Sequence, residues 1–243
     1  MSTNGDNHEP MNGNWEFNAS VTENFSAMLR NSIPSYDEMR DLTFRVGRNF
    51  IRESQNVVDL GASRGEALDP FIKLGGAQKY YAIEVSDPMF AVLRDKYQNM
   101  SNVSTLNFDL RSRDIFEYSP FLPNRNSLVL SVLTLQFIPM EHRQYLIRKV
   151  FQSLAPGGAF LLVEKVLGNT SDIDELFVNE YYKFKNASGY SYEDIQRKRA
   201  SLEGVLVPVT MDWNRELLRN AGFSQIDCFY RNLNFGALIA IKD

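Results

Sequence analysis

A short apolar strand, Asn56-Val-Val-Asp-Leu60, runs directly into the glycine turn Gly61-Ala-Ser63-Arg-Gly65. That junction constrains the fold more than any other feature. Glycine lets the chain turn over a strand end and lets backbone N–H groups approach a ligand with no Cβ in the way. The pattern then repeats: helix is predicted at 65–74, strand at 80–84, helix at 88–98, strand at 103–109, and a strong strand at 127–133. Helix 141–154 follows, stopped by Pro156-Gly157-Gly158, and then strand 159–164. Alternation of this kind predicts an α/β fold, a parallel sheet with helices on both faces.

The flanks are read differently. Residues 1–14 are polar and rich in Asn and Gly, so they predict a disordered tail with no signal-peptide pattern. Phe17, Val21, Phe25, Met28 and Leu29 recur at helical spacing, and Pro34 interrupts. A second amphipathic stretch carries Met39, Leu42, Val46, Phe50 and Ile51. Residues 172–204 break the alternation with two polar, aromatic-rich helical stretches. A helix at 212–221 ends at Gly222, and strands at 225–231 and 235–241 are close enough to form an antiparallel hairpin. Residues 15–243 thus read as a single domain with a helical insertion at about 172–204.

Composition narrows the functional classes. With 243 residues and 44% hydrophobic content the chain can bury one substantial core, and its apolar runs are too short to span a bilayer. A net charge of −4 gives no electrostatic reason for direct nucleic-acid binding. Only His8 and His142 are present, which leaves little for a metal site or a histidine triad. The single cysteine, Cys228, forbids an internal disulfide, fits a cytoplasmic protein and reads as a small buried hydrophobe.

The candidate chemistry sits at strand ends. The turn reads D-x-G-x-S-x-G from Asp59, whereas a pyrophosphate-binding turn for NAD reads G-x-G-x-x-G. Glu84 ends the second strand, placed to accept hydrogen bonds from two ribose hydroxyls, and Asp109-Leu110 ends the third, where an adenine amino group would lie. Both acids are also ordinary strand-end residues on a plainer reading. Thr134 and Gln136 reach the same rim, as ligand contacts or as a helix cap and a solvated side chain. Tyr36 is either a lid over the pocket or core packing. In Arg197-Lys198-Arg199, all three are solvated, or one arginine turns inward to grip a carboxylate. No residue stands out as catalytic.

From about Trp15 to Lys242 the chain resembles the carboxy-S-adenosylmethionine synthase family, on Ile33-Pro-Ser-Tyr36, Asp59-Leu-Gly-Ala-Ser63, Thr134-Leu-Gln-Phe137, Glu164-Lys165, Phe184-Lys185, Gly189-Tyr-Ser191, Lys198-Arg199 and Asn234-Phe-Gly236. The resemblance implies a Rossmann-like class I methyltransferase fold, a seven-stranded sheet ending in an antiparallel hairpin. It implies that S-adenosyl-L-methionine and prephenate give carboxy-S-adenosyl-L-methionine and phenylpyruvate, through a sulfonium ylide that captures carbon dioxide. The product feeds a wobble-uridine modification of tRNA. Carried over by position, Tyr36, Gly61, Ala62, Ser63, Glu84, Val85, Asp109, Leu110 and Arg199 would line the nucleoside pocket, with Arg199 on the new carboxylate. A homodimer is implied, with Tyr181, Tyr182, Phe184 and Tyr190 of the insertion near its interface. The chain departs from the family at Glu84 (family Asp), Ala62 (family Cys), Val132 (family Asn) and Tyr181-Tyr182 (family His pair). These departures leave two other readings open: a methyltransferase acting on an unidentified substrate, or a non-catalytic protein that binds the cofactor.

Overall fold

Strand β1 (Asn56–Leu60) is buried along its full length, as a central strand of a parallel sheet must be when both faces are covered. In the computed structural model, which describes residues 15–113, 117 and 119–243, it pairs in parallel with β2 (Tyr80–Glu84) and β4 (Asn126–Val132). Beyond these lie β3 (Val103–Asn107), β5 (Leu154–Leu167), and the hairpin of β7 (Gln225–Asn232) and β8 (Phe235–Ile241). The order is β3-β2-β1-β4-β5-β8-β7, with β8 antiparallel to both neighbours. A two-residue strand, β6 (Val209–Thr210), pairs β5 off this path and adds an eighth strand to the seven expected. The tail at 1–14 lies outside the described residues.

Alternation along the strands builds two cores. Val58, Leu60, Val129, Phe160 and Leu162 face one side, against Leu146, Ile147 and Val150 of α5 (Met140–Ser153) and Leu217 and Leu218 of α8 (Met211–Ala221). Val57, Leu128, Leu130 and Leu161 face the other. There they meet Phe44 of α2 (Tyr36–Gly47), Phe71 of α3 (Asp69–Leu74) and Leu93 of α4 (Asp87–Tyr97). This is the period-two rule of a strand read on both faces.

Helix α3 starts later than the pattern predicts. Residues 61–68 are spent on turns, with Gly65 N–H donating to the Ala62 carbonyl at 2.7 Å and Leu68 N–H to that of Gly65 at 3.1 Å. Strand β5 in turn starts earlier, because its first residues pair Asn126 before the Pro156-Gly157-Gly158 bend.

Three more helices cover the carboxyl ends of the strands. Helix α1 (Ala19–Ser32) is capped by Asn18, whose side chain accepts the N–H of Val21. The insertion forms α6 (Ser171–Ala187) and α7 (Tyr192–Ser201), the latter opened by a capping box between Ser191 and Asp194. Trp15 N–H donates to the Ser201 carbonyl at 2.8 Å, which ties the first described residue to the end of α7. Tyr181 and Tyr190 are buried, and Tyr182 and Phe184 are half-buried in the core that holds Phe235. Tyr181 and Tyr190 are therefore occupied within the chain, while Tyr182 and Phe184 keep part of their surface exposed. The exposed apolar residues of the insertion are Ile173, Leu176 and Tyr192. Cys228 is half-buried, with its thiol donating to the Tyr230 carbonyl.

Candidate active site at the carboxyl ends of the parallel strands

A cavity of about 340 Å³ opens where the chain leaves β1, β2, β3, β4 and β5, beneath α1 and the insertion. Open α/β sheets bind ligands at this place, outside the carboxyl ends of the strands where the strand order reverses. Gly61, Ala62 and Ser63 supply one wall after β1, Glu84 and Val85 the next after β2, and Asp109 and Leu110 the third after β3. Tyr36, at the start of α2, closes over them.

Glu84 organises this half. One carboxylate oxygen accepts the Ser63 N–H at 2.8 Å. The other accepts the N–H groups of Val85 at 2.9 Å and Ser86 at 2.8 Å. Burial raises its pKa while those three donors oppose the rise. A carboxylate can accept about four hydrogen bonds, so acceptor capacity remains toward the cavity. Asp109 is gripped by Arg111 through a two-pronged contact at 2.8 and 2.5 Å, which holds its carboxyl below the usual carboxylate range.

The turn after β1 approaches the loop after β4 too closely for a side chain. A Cβ on Gly61, whose φ is +70°, would lie 2.4 Å from Thr134. Ser63 (φ 50°), Leu133 (φ 60°) and Ser35 (φ 52°) also sit in the left-handed region without being glycine. Such strain costs on the order of 1 kcal/mol per residue and collects at ligand sites.

Two buried ionisable side chains fix the Thr134–Phe137 segment. Glu164 accepts the Leu135 N–H at 3.0 Å, and burial raises its pKa to about 8 against the pull of Arg143. Arg143 is 1% exposed and donates to the carbonyls of Ile138 (2.7 Å), Gln136 (3.2 Å) and Val207 (2.8 Å). Gln136 is buried and not solvated; its side-chain oxygen accepts the Lys165 N–H at 2.7 Å while it lines the cavity.

Besides Arg111, four cations line the cavity, and none of the five was singled out individually in the sequence. Arg40 lies 5.8 Å from the Tyr36 ring centroid and Lys198 3.3 Å from that of Trp15. Lys165 lies 5.0 Å and Lys185 5.9 Å from the Tyr181 centroid. Lys165 had a usable signal, because it follows Glu164 at the end of a parallel strand. Lys185 had none outside the resemblance. Arg199 is exposed and does not line the cavity; it donates to the Tyr182 hydroxyl at 3.4 Å. The inward-turned cation of the triplet is instead Lys198, and Arg197 pairs with Asp194 on the surface at 3.4 Å. Among the described residues no cluster of His, Cys, Asp and Glu could hold a metal, and no helix is long and apolar enough to cross a membrane.

Residues 57–158 match the family model of the methyltransferase domain. The carboxy-S-adenosyl-L-methionine synthase of Staphylococcus epidermidis is 35% identical over 230 residues, covering 94% of this chain and 97% of that one. The synthase of Nautilia profundicola is 32% identical over 235 residues, covering 97% of each chain. The chain belongs to the carboxy-S-adenosyl-L-methionine synthase family. Its fold is that of class I methyltransferases. A phosphoethanolamine N-methyltransferase of Haemonchus contortus, solved with phosphomonomethylethanolamine and S-adenosylhomocysteine, superposes with a TM-score of 0.62 at 14% identity, over 93% of this chain and 58% of that one. Of the positions at which this family member departs from the resembled pattern, Ala62, Glu84, Val132 and Tyr181 all line the cavity.

Proposed function

We propose that this synthase-family chain uses S-adenosyl-L-methionine and prephenate to make carboxy-S-adenosyl-L-methionine and phenylpyruvate, as a cytoplasmic homodimer whose product serves tRNA wobble-uridine modification. The observation that carries the reading is similarity over nearly the whole chain to named synthases, insertion included, joined to a cavity built from the loops on which the resemblance rests. The cavity fits the cofactor. Glu84 keeps acceptor capacity beside the glycine turn, and the volume lies within the usual range for small-molecule sites.

Tyr36, Gly61, Ala62, Ser63, Glu84, Val85, Asp109 and Leu110 form the nucleoside half of this reading. Glu84 offers its remaining lone pairs to the ribose hydroxyls, and Asp109, steadied by Arg111, faces the adenine edge. Arg199 is not assigned to that half, because it is exposed and outside the cavity. When bound, the cofactor supplies a sulfonium methyl that gives up a proton and takes carbon dioxide from prephenate, whose ring hydroxyl leaves with that proton as water. The apolar lids, Tyr36 and Trp15, exclude bulk water from that exchange. The exposed Ile173 and Leu176, one turn apart on α6, supply the dimer contact.

Val132 favours one rival. A valine at the rim offers the cofactor no polar contact where the resembled family has asparagine, which suits a relative that methylates another acceptor. Incubation with S-adenosyl-L-methionine, with and without prephenate, separates the readings by the mass of the nucleoside formed. The proposed function requires a carboxylated nucleoside that forms only with prephenate. S-adenosylhomocysteine as the product would mean methyl transfer.

A further inference from the structure

Parallel pairing between β4 and β5 ends at Val132 and Val163. Beyond it the chain leaves the sheet. Leu133 has a φ of +60°, and a single 3-10 turn, Leu135–Phe137, follows. Thr134 precedes that turn without making a capping hydrogen bond, so its first N–H groups need acceptors from elsewhere. They find one on the neighbouring strand, where Glu164 Oε1 accepts the Leu135 N–H at 3.0 Å. Two further cross-links flank it: Leu133 N–H donates to the Val163 carbonyl, and Lys165 N–H to the Gln136 side-chain oxygen, both at 2.7 Å.

We propose that Glu164 is a positioning residue for cofactor binding, whose side-chain oxygen holds the Thr134–Phe137 turn where Thr134 packs on Gly61. The proposal rests on the S-adenosyl cofactor of the family and not on which group the chain transfers.

Three observations carry it. The first is direction. Leu162 and Val166 point to the α5 side of the sheet, and strand alternation puts Glu164 on the same face. Neither Glu164 nor Arg143 lines the cavity, so Glu164 reaches a ligand only through the turn it holds.

The second is what the turn carries. Thr134, Gln136, Phe137 and Ile138 all line the cavity. Thr134 comes so close to Gly61 that a Cβ there would lie 2.4 Å from it. A displaced turn therefore displaces the glycine turn after β1 as well, because close-packed groups transmit strain.

The third is cost. Glu164 is 3% exposed in a row of apolar neighbours, and a polar group buried there is unfavourable unless its hydrogen bonds are made. An apolar side chain would fill the core equally well and leave the Leu135 N–H without an acceptor. The carbonyl side of the same turn is held too. Arg143 takes the Gln136 and Ile138 carbonyls, and the Val207 N–H donates to Gln136 at 2.9 Å. With both sides held, the rim after β4 has one position.

The test is calorimetry of S-adenosylhomocysteine binding to the full chain, with urea midpoints read on the same samples. Glu164→Met has similar length but no comparable acceptor, and should weaken binding about tenfold. Glu164→Gln keeps an acceptor for the Leu135 N–H and should stay within about threefold of the intact protein. Thr134→Ala leaves Glu164 in place and removes the atoms that meet Gly61; it should weaken binding about fivefold or more, and it reads the same route should Glu164→Met fail to fold. A lower urea midpoint for Glu164→Met with unchanged affinity would mean that Glu164 serves the fold alone, and overturns the proposal. Equal weakening by the Gln and Met variants also overturns it, because the acceptor would not be the cause. Unchanged affinity in Thr134→Ala overturns the route through Gly61.

Discussion

The Glu84 carboxylate accepts the backbone N–H of Ser63 at 2.8 Å, so the end of β2 holds the glycine turn of β1 in place. The same side chain, 7% exposed, also caps its own strand end through Val85 and Ser86. One acid thus fixes two strand ends at the wall of the cavity.

Glu84→Ala removes both contributions. Each hydrogen bond to a charged acceptor is worth about 1.5–3 kcal/mol, so affinity for S-adenosyl-L-methionine should fall about tenfold or more. Glu84→Asp keeps the charge and should lose less. Calorimetry finding unchanged affinity in the alanine variant would remove Glu84 from the ribose.

Arg143→Met leaves the carbonyls of Gln136, Ile138 and Val207 without their donor. Buried unsatisfied groups cost about 1–3 kcal/mol each, so urea denaturation should show a loss of about 3 kcal/mol or more. A loss near zero would mean that water replaces the guanidinium and that the Thr134–Phe137 segment is held by Glu164 alone.

Asp59 is buried with neither carboxylate oxygen hydrogen-bonded, and burial lifts its pKa from 3.8 to about 7. Between those values the folded state holds a proton that the unfolded state has lost. Stability from this group is complete below the lower value and is lost as pH rises through the upper one. Asp59→Asn removes the titration. The variant should therefore gain on the intact protein as pH rises from about 5 to about 8, read from paired urea midpoints. Parallel curves would show that Asp59 ionises normally.

Leu176→Asp places a charge in the exposed apolar face of α6. Light scattering at tens of micromolar should give a dimer mass for the intact protein and a monomer mass for the variant. A dimer that survives the substitution would place its interface elsewhere.

The end of the cavity at β1, β2 and β3 was legible because its signals are local. A glycine turn after an apolar strand, and acids at successive strand ends, are set by short stretches of chain, and Tyr36, Gly61, Glu84 and Asp109 do meet in one cavity. The other half was not legible in the same way. Lys165 and Lys185 are brought to one chamber only when α6 packs its Tyr181 ring on Phe235 of β8, with centroids 5.7 Å apart. That contact spans distant segments and leaves no periodic trace. The same packing explains the insertion's aromatic residues. A ring that must be buried has the same composition signature whether its own chain or a partner buries it, so Tyr181 and Tyr190 read as interface and prove to be core. The Arg197-Lys198-Arg199 triplet fails similarly, because which cation turns inward depends on the Trp15 ring, which docks against Lys198.

The central claim concerns where a carbon atom goes. Prephenate labelled with carbon-13 in its ring carboxylate, incubated with the protein and unlabelled S-adenosyl-L-methionine, tests it directly by mass spectrometry of the nucleosides. The account predicts a nucleoside heavier by one carbon dioxide, carrying the label, with phenylpyruvate formed in equal amount. A nucleoside pool of S-adenosylhomocysteine or unchanged S-adenosyl-L-methionine, with no label in it, would contradict the account.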